Sequence, residues 1–382
     1  MQPSVQARLP TLPKPVREKK LKVALVHDYL VQDGGAERVL SVLQEMFPEA
    51  PIFTLIYDPL RCHERFRPRS VRTSFLDKWP LARRAYQWYL PFMPLAVEHL
   101  DLNGFDLVIS SSSSFAKGVI AAPESKHICY CHTPTRFLWQ ERLGYLNDLP
   151  QPAIMRALLP PLLHKLRQWD RLAAERPDIM LTNSHISRER IKRYYARDAR
   201  VIYPPVEVSK IEQGRCAGKF WLTGGRLVGY KKFDLVVKAF TKLNLPLKIF
   251  GIGPELKKLK RLAGPKIEFL HQVSDEHKAA LYKYAIGFLS PQIEDFGITI
   301  VEAMAAGRPV ITYGKGGATE TVIDGVTGIH LETQSWEDIG DAVIRFDASR
   351  FDPQTIRAQA EKFSTERFKE KLTSFIEHAL AN

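Results

Sequence analysis

The stretch AIGFLSPQIEDFGITIVEAMAAGRPVIT, residues 285–312, decides the fold. Residues 285–290 form a short apolar run that predicts a buried strand, and residues 309–312 predict another. Between them the apolar spacing predicts a helix that begins near Gly297 and ends at Gly307. A strand, a helix and a second strand in succession are typical of an open parallel sheet with helices on both faces.

The same alternation occurs on both sides of this stretch, so the 382-residue chain contains two similar halves. Short apolar runs predict further strands at residues 22–27, 52–56, 107–110, 127–131 and 179–183 in the first half, and at 220–223, 247–250 and 267–270 in the second. Helical spacing occurs at residues 36–46, 233–243 and 355–380.

The segment Tyr203-Pro204-Pro205-Val206 interrupts this alternation and predicts a hinge. We therefore expect an α/β protein of two Rossmann-like domains, residues 22–205 and 206–363, which face each other across a ligand-binding cleft. The C-terminal helix, residues 364–382, is expected to pack back on the first domain. Residues 1–21 are basic, contain several prolines and lack the apolar core of a signal peptide, so they are predicted to form a disordered tail.

Positive charge dominates the chain, whose formal net charge is +13. Such a charge attracts nucleotide phosphates or the anionic inner leaflet of a membrane, unless it forms a solvated surface without a partner. The basic stretch at residues 156–200 leaves the membrane and the solvated alternatives open. No motif typical of RNA- or DNA-binding proteins occurs, so nucleic acid is not expected as a partner.

Cysteine usage and apolar runs indicate the compartment. Four cysteines without a disulfide framework are typical of a reducing, cytoplasmic setting. Cys129, Cys131 and His132 lack the second ligand pair of a zinc site, so no metal is expected. No run reaches the roughly 18 apolar residues of a transmembrane helix. Residues 79–100 are amphipathic, which suits either a membrane interface or a cap packed on the protein.

Two glutamates flank the start of the helix in the opening stretch. Glu294 lies in the strand-to-helix loop, and Glu302 lies in the second turn, where its carboxylate can accept hydrogen bonds from two vicinal ribose hydroxyls. The free N–H groups at the helix start favour a phosphate, and Gly297 allows a ligand to approach the backbone closely. Phe296 and Ile298, on either side of Gly297, are expected to contact the same ligand.

This stretch resembles the E-x7-E signature of retaining glycosyltransferases with the GT-B fold, in particular of glycosyltransferase family 4. The resemblance extends from about Lys22 onward. It implies a nucleotide-sugar donor, no bound cofactor, and retention of the anomeric configuration, with Glu294 positioning the sugar and Glu302 the ribose. The chain contains no Asp-x-Asp motif, so the metal clamp of the other main glycosyltransferase fold is not expected.

Other motifs agree with the resemblance. Arg226 and Lys231 match the family's G-R-L-x-x-x-K segment, which implies that they bind the diphosphate of the donor. The family usually has Gly or Arg after this lysine, whereas Lys232 stands here, and we favour Lys231 as the lysine that points inward. Gly251 and Gly253 match the family's glycine loop beside the nucleotide base.

The first half carries the remaining candidate residues. Gly34 and Gly35 occupy the first strand-to-helix turn, where they allow close approach of the diphosphate or the sugar. His132 matches a family histidine that contacts the transferred sugar, and Arg136 is expected to reach a phosphate of the acceptor. His132, Glu294, Arg226 and Lys231 are therefore the predicted catalytic residues.

The segment HTPTRFLW, residues 132–139, is similar to bacterial mannosyltransferases of polysaccharide assembly. This similarity implies GDP-mannose as the donor and a polyprenyl-diphosphate-linked or oligosaccharide acceptor. It also implies a cytoplasmic enzyme, peripheral on the inner face of the cell membrane. A UDP-sugar donor is the alternative within the fold. A GT-B epimerase or phosphorylase, and a non-catalytic module that binds sugar nucleotides or membranes, are the alternatives from other classes.

Overall fold

The computed structural model describes residues 21–62, 66, 71–140, 153–214 and 218–381, and for residues 153–158 it describes the backbone only. The prediction of a disordered tail falls on residues 1–20, outside this part of the chain, as does Cys216.

The first half folds into a sheet of seven parallel strands. Their spatial order is β3-β2-β1-β4-β5-β6-β7. The strands are β1 Val23–His27, β2 Ile52–Thr54, β3 Val71–Thr73, β4 Leu107–Ser112, β5 Lys126–Cys131, β6 Ile179–Thr182 and β7 Arg200–Val201. The central strands β1, β4 and β5 are almost fully buried, as expected for strands covered on both faces.

The second half repeats the design with six parallel strands in the order β10-β9-β8-β11-β12-β13. The strands are β8 Phe220–Gly224, β9 Leu247–Phe250, β10 Ile267–His271, β11 Ala285–Ser290, β12 Val310–Tyr313 and β13 Gly328–Leu331. Strand order reverses between β1 and β4 in the first sheet and between β8 and β11 in the second. Ligands of open parallel sheets bind at such points, beyond the carboxyl ends of the strands.

Helices cover both sheets. They span Gly35–Met46, Ala82–Ala85, Met93–Glu98, Ala153–Ala173, His185–Tyr195, Phe233–Leu243, Leu256–Leu262, Asp275–Tyr284, Ile298–Ala305, Ala318–Thr321, Trp336–Ile344, Pro353–Glu361 and Thr365–Ala381. The single helix predicted at residues 355–380 is in fact two helices, separated at residues 362–364. The basic helix His185–Tyr195 ends before Arg197, because Ala196 adopts a left-handed conformation with φ 55°.

The C-terminal helix Thr365–Ala381 packs against the core of the first domain. Its buried face, Phe368, Leu372 and Ile376, joins the hydrophobic cluster beneath β1, β4 and β5. Where the chain enters this helix, Phe363 O accepts a hydrogen bond of 3.0 Å from the N–H of Val206. The predicted hinge is thus adjacent to the second crossing between the domains, so the two connections lie side by side.

The amphipathic segment at residues 79–100 packs on the first domain. Its buried residues join the cluster formed with β1 and β2, and the Trp79 ring contacts the Tyr89 and Phe92 rings at centroid distances of 5.2 Å. Trp88 nevertheless remains 62% exposed, and Leu95 48%. In the part of the chain that the structure describes, none of the helices combines the length and apolarity needed to cross a membrane.

Candidate functional site

The segments that follow β1 and β5 face the segments that follow β8 and β11, so the cleft between the domains lies at the carboxyl ends of both sheets. Contacts between the two sides join residues far apart in sequence, such as Arg38 with Glu302 and Arg136 with Asp295. The predicted site residues lie in the segments that follow β1, β5, β8, β9 and β11 and in the helix Ile298–Ala305.

Glu294 is 8% exposed and accepts two hydrogen bonds from side chains of its own domain. Lys231 Nζ donates to Glu294 Oε1 at 3.0 Å, and Gln292 Nε2 donates to the same oxygen at 2.6 Å. Burial opposes ionisation of Glu294, but the charge of Lys231 and both hydrogen bonds outweigh burial and lower its pKa. Glu294 is therefore a carboxylate at neutral pH, which suits hydrogen bonds from hydroxyls.

Glu302 is buried, with 2% exposure, and its carboxylate already has three donors. Arg38 and Lys278 both donate to Oε1, the lysine at 3.1 Å, and the Tyr282 hydroxyl donates to Oε2 at 2.9 Å. A carboxylate offers about four lone-pair positions, so one remains. Two vicinal hydroxyls need two acceptors, and the predicted ribose contact therefore requires one of the present donors to move.

Two glycines bring the helix starts of the two domains together. Gly297 has φ +92°, a conformation that favours glycine, and it precedes the helix Ile298–Ala305. A Cβ on Gly35, at the start of the facing helix Gly35–Met46, would lie 3.0 Å from Ile298 Cδ1. Gly34 is also crowded, since its Cβ would lie 3.0 Å from Glu37 Oε2. A side chain at Gly34 or Gly35 would therefore have to displace the end of a neighbouring side chain, Glu37 or Ile298.

The Phe296 side chain does not line the cleft as the sequence suggested. It is buried in the second-domain core and packs against the Tyr203 and Phe363 rings, at centroid distances of 5.7 and 5.4 Å. Both of these rings belong to the two interdomain crossings. Phe296 thus anchors the helix start to the hinge, and a ligand could meet its backbone only.

Arg226 and Lys231 lie at different depths. Lys231 reaches Glu294, whereas the following Lys232 is exposed and adopts a left-handed conformation. Arg226 is exposed and donates to Gln32 Oε1 of the first domain at 3.4 Å. The structure therefore places Lys231, rather than Lys232, beside the Glu294 carboxylate, and Arg226 at the mouth of the cleft.

Gly251 and Gly253, which are predicted to lie beside the nucleotide base, are closely packed against protein backbone. A Cβ on Gly251 would lie 1.9 Å from Gly225 O, and a Cβ on Gly253 would lie 2.2 Å from Leu227 O. Protein backbone, not open space, surrounds the positions that side chains would take there. These glycines allow the loop after β9 to pack against the loop that carries Arg226.

His132 ends a row of polar side chains at the carboxyl ends of β1, β4 and β5. Its Nε2 shares a hydrogen bond of 2.8 Å with Ser111 Oγ, which also lies 3.2 Å from His27 Nδ1. Burial and the neighbouring His27 lower the pKa of His132 to about 3, so this imidazole is neutral at pH 7. Burial lowers the pKa of His27 too, but Glu37 more than compensates and raises it.

A run of serines lies near these histidines. Ser110, Ser111 and Ser112 belong to β4, which is two residues longer than the strand predicted at residues 107–110. The N–H groups of Ser113, Ser114, Phe115 and Ala116 donate to the buried Asp28 carboxylate at 2.6–2.9 Å. Asp28 thus ties the end of β1 to the end of β4.

Arg136 lies across the cleft from Glu294, and its partner is protein. Its guanidinium donates to Asp295 and lies over the Tyr230 ring, 4.9 Å from the centroid. Arg190, from the helix His185–Tyr195, donates to the other oxygen of Asp295. Sequence reasoning missed Asp295 and Arg190; the position of Asp295 directly after Glu294 was the available signal.

A buried ion pair, also unpredicted, supports the loop that carries His132 and Arg136. Lys117 Nζ donates to Asp170 Oδ1 at 2.5 Å, with both side chains 1% exposed. Asp170 also accepts hydrogen bonds from Thr135 Oγ1 at 2.7 Å and Trp139 Nε1 at 2.7 Å. One carboxylate therefore fixes the loop at two points on its own domain.

Among the residues that the structure describes, no group of three or more His, Cys, Asp or Glu side chains is arranged to hold a metal ion. Cys129 and Cys131 are buried in β5, where they pack with Met180 and Ile191. Burial raises the pKa of Cys129 to about 11, so its thiol is protonated at neutral pH.

Both halves of the chain match known families. Residues 33–210 match Glycosyltransferase Family 4, and residues 213–363 match Glycosyl transferases group 1. A similar curated protein is the alpha-1,3/1,6-mannosyltransferase ALG2 of Mus musculus, with 26% identity over 400 residues, which covers 90% of this chain and 93% of that protein.

Solved structures share the architecture. Sucrose-phosphate synthase from Thermosynechococcus elongatus has a TM-score of 0.71 and 17% identity, covering 95% of this chain and 100% of that one. Anabaena Alr3699/HepE, in complex with UDP and glucose, has a TM-score of 0.70 and 15% identity, covering 94% and 99%. Built from a Glycosyltransferase Family 4 domain followed by a Glycosyl transferases group 1 domain, the chain belongs to the glycosyltransferases of GT-B type.

Proposed function

We propose that this protein is a retaining glycosyltransferase that moves mannose from GDP-mannose to a lipid-linked or oligosaccharide acceptor in bacterial polysaccharide assembly. The observation that carries the proposal is the convergence of Glu294, Lys231 and Glu302 where the strand order of the second sheet reverses. The name of the mouse relative, a mannosyltransferase, supports mannose as the transferred sugar.

The donor would lie with its diphosphate between Lys231 and the start of the helix Ile298–Ala305, with Arg226 closing the mouth of the cleft. The nucleoside would lie near Glu302 and the sugar near Glu294. As the glycosidic bond breaks, negative charge develops on the diphosphate, and these positive groups stabilise it. Because the chain supplies this charge itself, transfer is proposed to need neither a divalent cation nor another cofactor.

Transfer would proceed with the acceptor hydroxyl attacking on the face that the nucleotide leaves, through an oxocarbenium-like transition state. A leaving phosphate oxygen would take the proton of the acceptor. Glu294 orients the sugar through hydrogen bonds, and neutral His132 donates or accepts a hydrogen bond at a sugar hydroxyl. Closure about Tyr203–Val206 would exclude water, which competes with the acceptor.

A UDP-sugar is the second candidate donor. It is favoured by the likeness to Alr3699/HepE, whose structures hold UDP and glucose or UDP-glucose. Both donors present the same diphosphate and ribose to Lys231 and Glu302, so they would differ only at the base and the sugar.

A lipid-linked acceptor would bring the enzyme to the inner face of the cell membrane. The segment at residues 79–100 suits such a contact, since it exposes Trp88, Phe92 and Leu95 together with the basic Arg84. The binding there would be peripheral and would place the cleft near the phosphates of the acceptor.

The test is a transfer assay with radiolabelled GDP-mannose or a UDP-sugar and a polyprenyl-diphosphate-linked acceptor, in the presence of EDTA. Wild-type protein should transfer the sugar at an undiminished rate with the chelator. Lys231→Met should lower turnover by about 10²-fold, the typical effect of losing one preorganised charge contact. The exposed neighbour Lys232 provides the matched control: turnover of Lys232→Met should stay within about twofold of wild type. Absence of nucleotide release from every GDP- and UDP-sugar tested would overturn the proposal.

A further inference from the structure

Asp295 joins the two domains through two arginines. One carboxylate oxygen accepts from Arg136 and the other from Arg190, and the Asp295 side chain is only 13% exposed. Both arginines belong to the first domain, on separate elements, whereas Asp295 belongs to the second. Because each oxygen of this carboxylate accepts a hydrogen bond from a different guanidinium, the contact fixes both the orientation and the distance of Asp295 relative to the two arginines.

Arg136 lies close to predicted catalytic residues of both domains. It lies four residues after His132 in the chain, and its guanidinium stacks over Tyr230, the residue before Lys231. On the other side, Asp295 directly follows Glu294. One ion-pair cluster therefore lies between the His132 loop and the pair formed by Lys231 and Glu294.

The loop that carries His132 is already fixed on its own domain. Asp170 accepts hydrogen bonds from Thr135 and Trp139, and Lys117 balances its charge. Glu294 is likewise fixed on its own domain by Lys231 and Gln292. These contacts do not fix the position of one set relative to the other. Asp295 with its arginines is one of the links between the domains that does so, and it lies next in the chain to Glu294.

We propose that Asp295 is a positioning residue for sugar transfer, which holds His132 in register with Glu294 when the cleft is closed and so favours the acceptor over water. This inference rests on the function proposed above. Asp295 itself contacts arginines and not the reacting atoms. The arginine that was expected to bind an acceptor phosphate, Arg136, acts in the first place through this carboxylate.

The test compares Asp295→Asn with wild type, since this change keeps the shape and removes the charge. A displacement of about 1 Å at a catalytic group costs on the order of 10²-fold, so kcat should fall by about 10- to 100-fold. The Kd of the donor, bound within the second domain, should change by less than about threefold. The ratio of donor hydrolysis to transfer should rise, a result that loss of folded protein alone would not produce.

Three further variants complete the design. Arg190→Gln should lower kcat in the same direction, which keeps the test decisive if Asp295→Asn folds poorly, and Asp295→Glu should recover part of the activity. Asp198→Asn, at an exposed ion pair with Arg188, serves as the matched control and should behave as wild type. The inference would be overturned if both Asp295→Asn and Arg190→Gln had the same kcat and the same ratio of donor hydrolysis to transfer as the wild-type protein. A wild-type protein that transfers no sugar would instead overturn the proposed function.

Discussion

In the proposed donor complex, Arg38 would compete with the ribose for Glu302, so removal of Arg38 should tighten nucleotide binding. The guanidinium of Arg38 donates to Glu302 Oε1, which Lys278 also contacts, and three of the roughly four lone-pair positions of the carboxylate are taken. A ribose that donates two hydrogen bonds must therefore displace one partner. Arg38 is the one that can leave, because it comes from the opposite domain and its side chain is 24% exposed.

The expected magnitude follows from the contacts. A hydrogen bond to a charged group contributes about 1.5–3 kcal/mol net. Arg38 regains water when displaced, and its second partner, Asp275, is half exposed, so we expect about 1.4 kcal/mol, which is about tenfold in affinity. Arg38→Met should accordingly lower the Kd for GDP or UDP about tenfold.

Isothermal titration calorimetry measures this Kd directly. Arg188→Met is the matched control, because Arg188 also pairs with a carboxylate but lies outside the cleft contacts of Glu302. The Kd of Arg188→Met for GDP or UDP should equal that of the wild-type protein. An unchanged or weaker affinity in Arg38→Met would refute the reasoning, since it would mean that Arg38 does not occupy the position that the ribose needs.

Two further predictions concern stability. Lys117→Met leaves the Asp170 charge buried without its cation, and breaking a buried ion pair costs about 3–5 kcal/mol of unfolding free energy. For a loss of about 3 kcal/mol the melting temperature should fall by about 6–12 °C. A fall of less than about 2 °C in scanning calorimetry would contradict this prediction. The pKa values of Asp295 and Glu294 lie below their ordinary values of 3.8 and 4.5, because Arg136 and Lys231 outweigh the effect of burial. Their stabilisation is complete above about pH 4.5 and is lost as pH falls further. The unfolding free energy measured in urea should therefore begin to decrease as pH falls below about 6.5, because the pKa of His132 is lowered, and it should decrease more steeply below about pH 4.5.

The central strands could be predicted from the sequence because they are buried on both faces and consist of short apolar runs. Strands β8, β9 and β11 agree with the predicted positions to within one residue. Of the four edge strands, β10 was predicted at residues 267–270, whereas β3, β7 and β13 were not. Strand β3 has three residues and β7 two, and both are partly exposed, so neither carries an apolar run that sequence reasoning could detect.

The candidate site could be predicted only where local pattern and site coincide. The helix start at Gly297 is such a place, since the glycine, the flanking glutamates and the following apolar residues all lie within one short stretch. The partners of those glutamates could not be predicted. Arg38 is 264 residues from Glu302 in the chain, and no spacing rule relates residues of separate domains.

Motif glycines illustrate the same limit. A Cβ on Gly251 would strike the Gly225 carbonyl, so protein packing is by itself a sufficient reason for a glycine there, and the contact with a nucleotide base stays a prediction. A glycine signals a close approach, and the sequence alone does not say whether a ligand or the protein backbone approaches. For Gly35 the approaching group is Ile298 of the other domain.

The most direct measurement of the proposed donor site is a crystal structure of the protein with GDP-mannose. The diphosphate should lie between Lys231 and the start of the helix Ile298–Ala305, with both ribose hydroxyls donating to Glu302 and Arg38 withdrawn from it. A nucleotide bound outside this cleft, or a ribose beyond hydrogen-bonding distance of Glu302 with the Arg38 contact intact, would contradict the assignment.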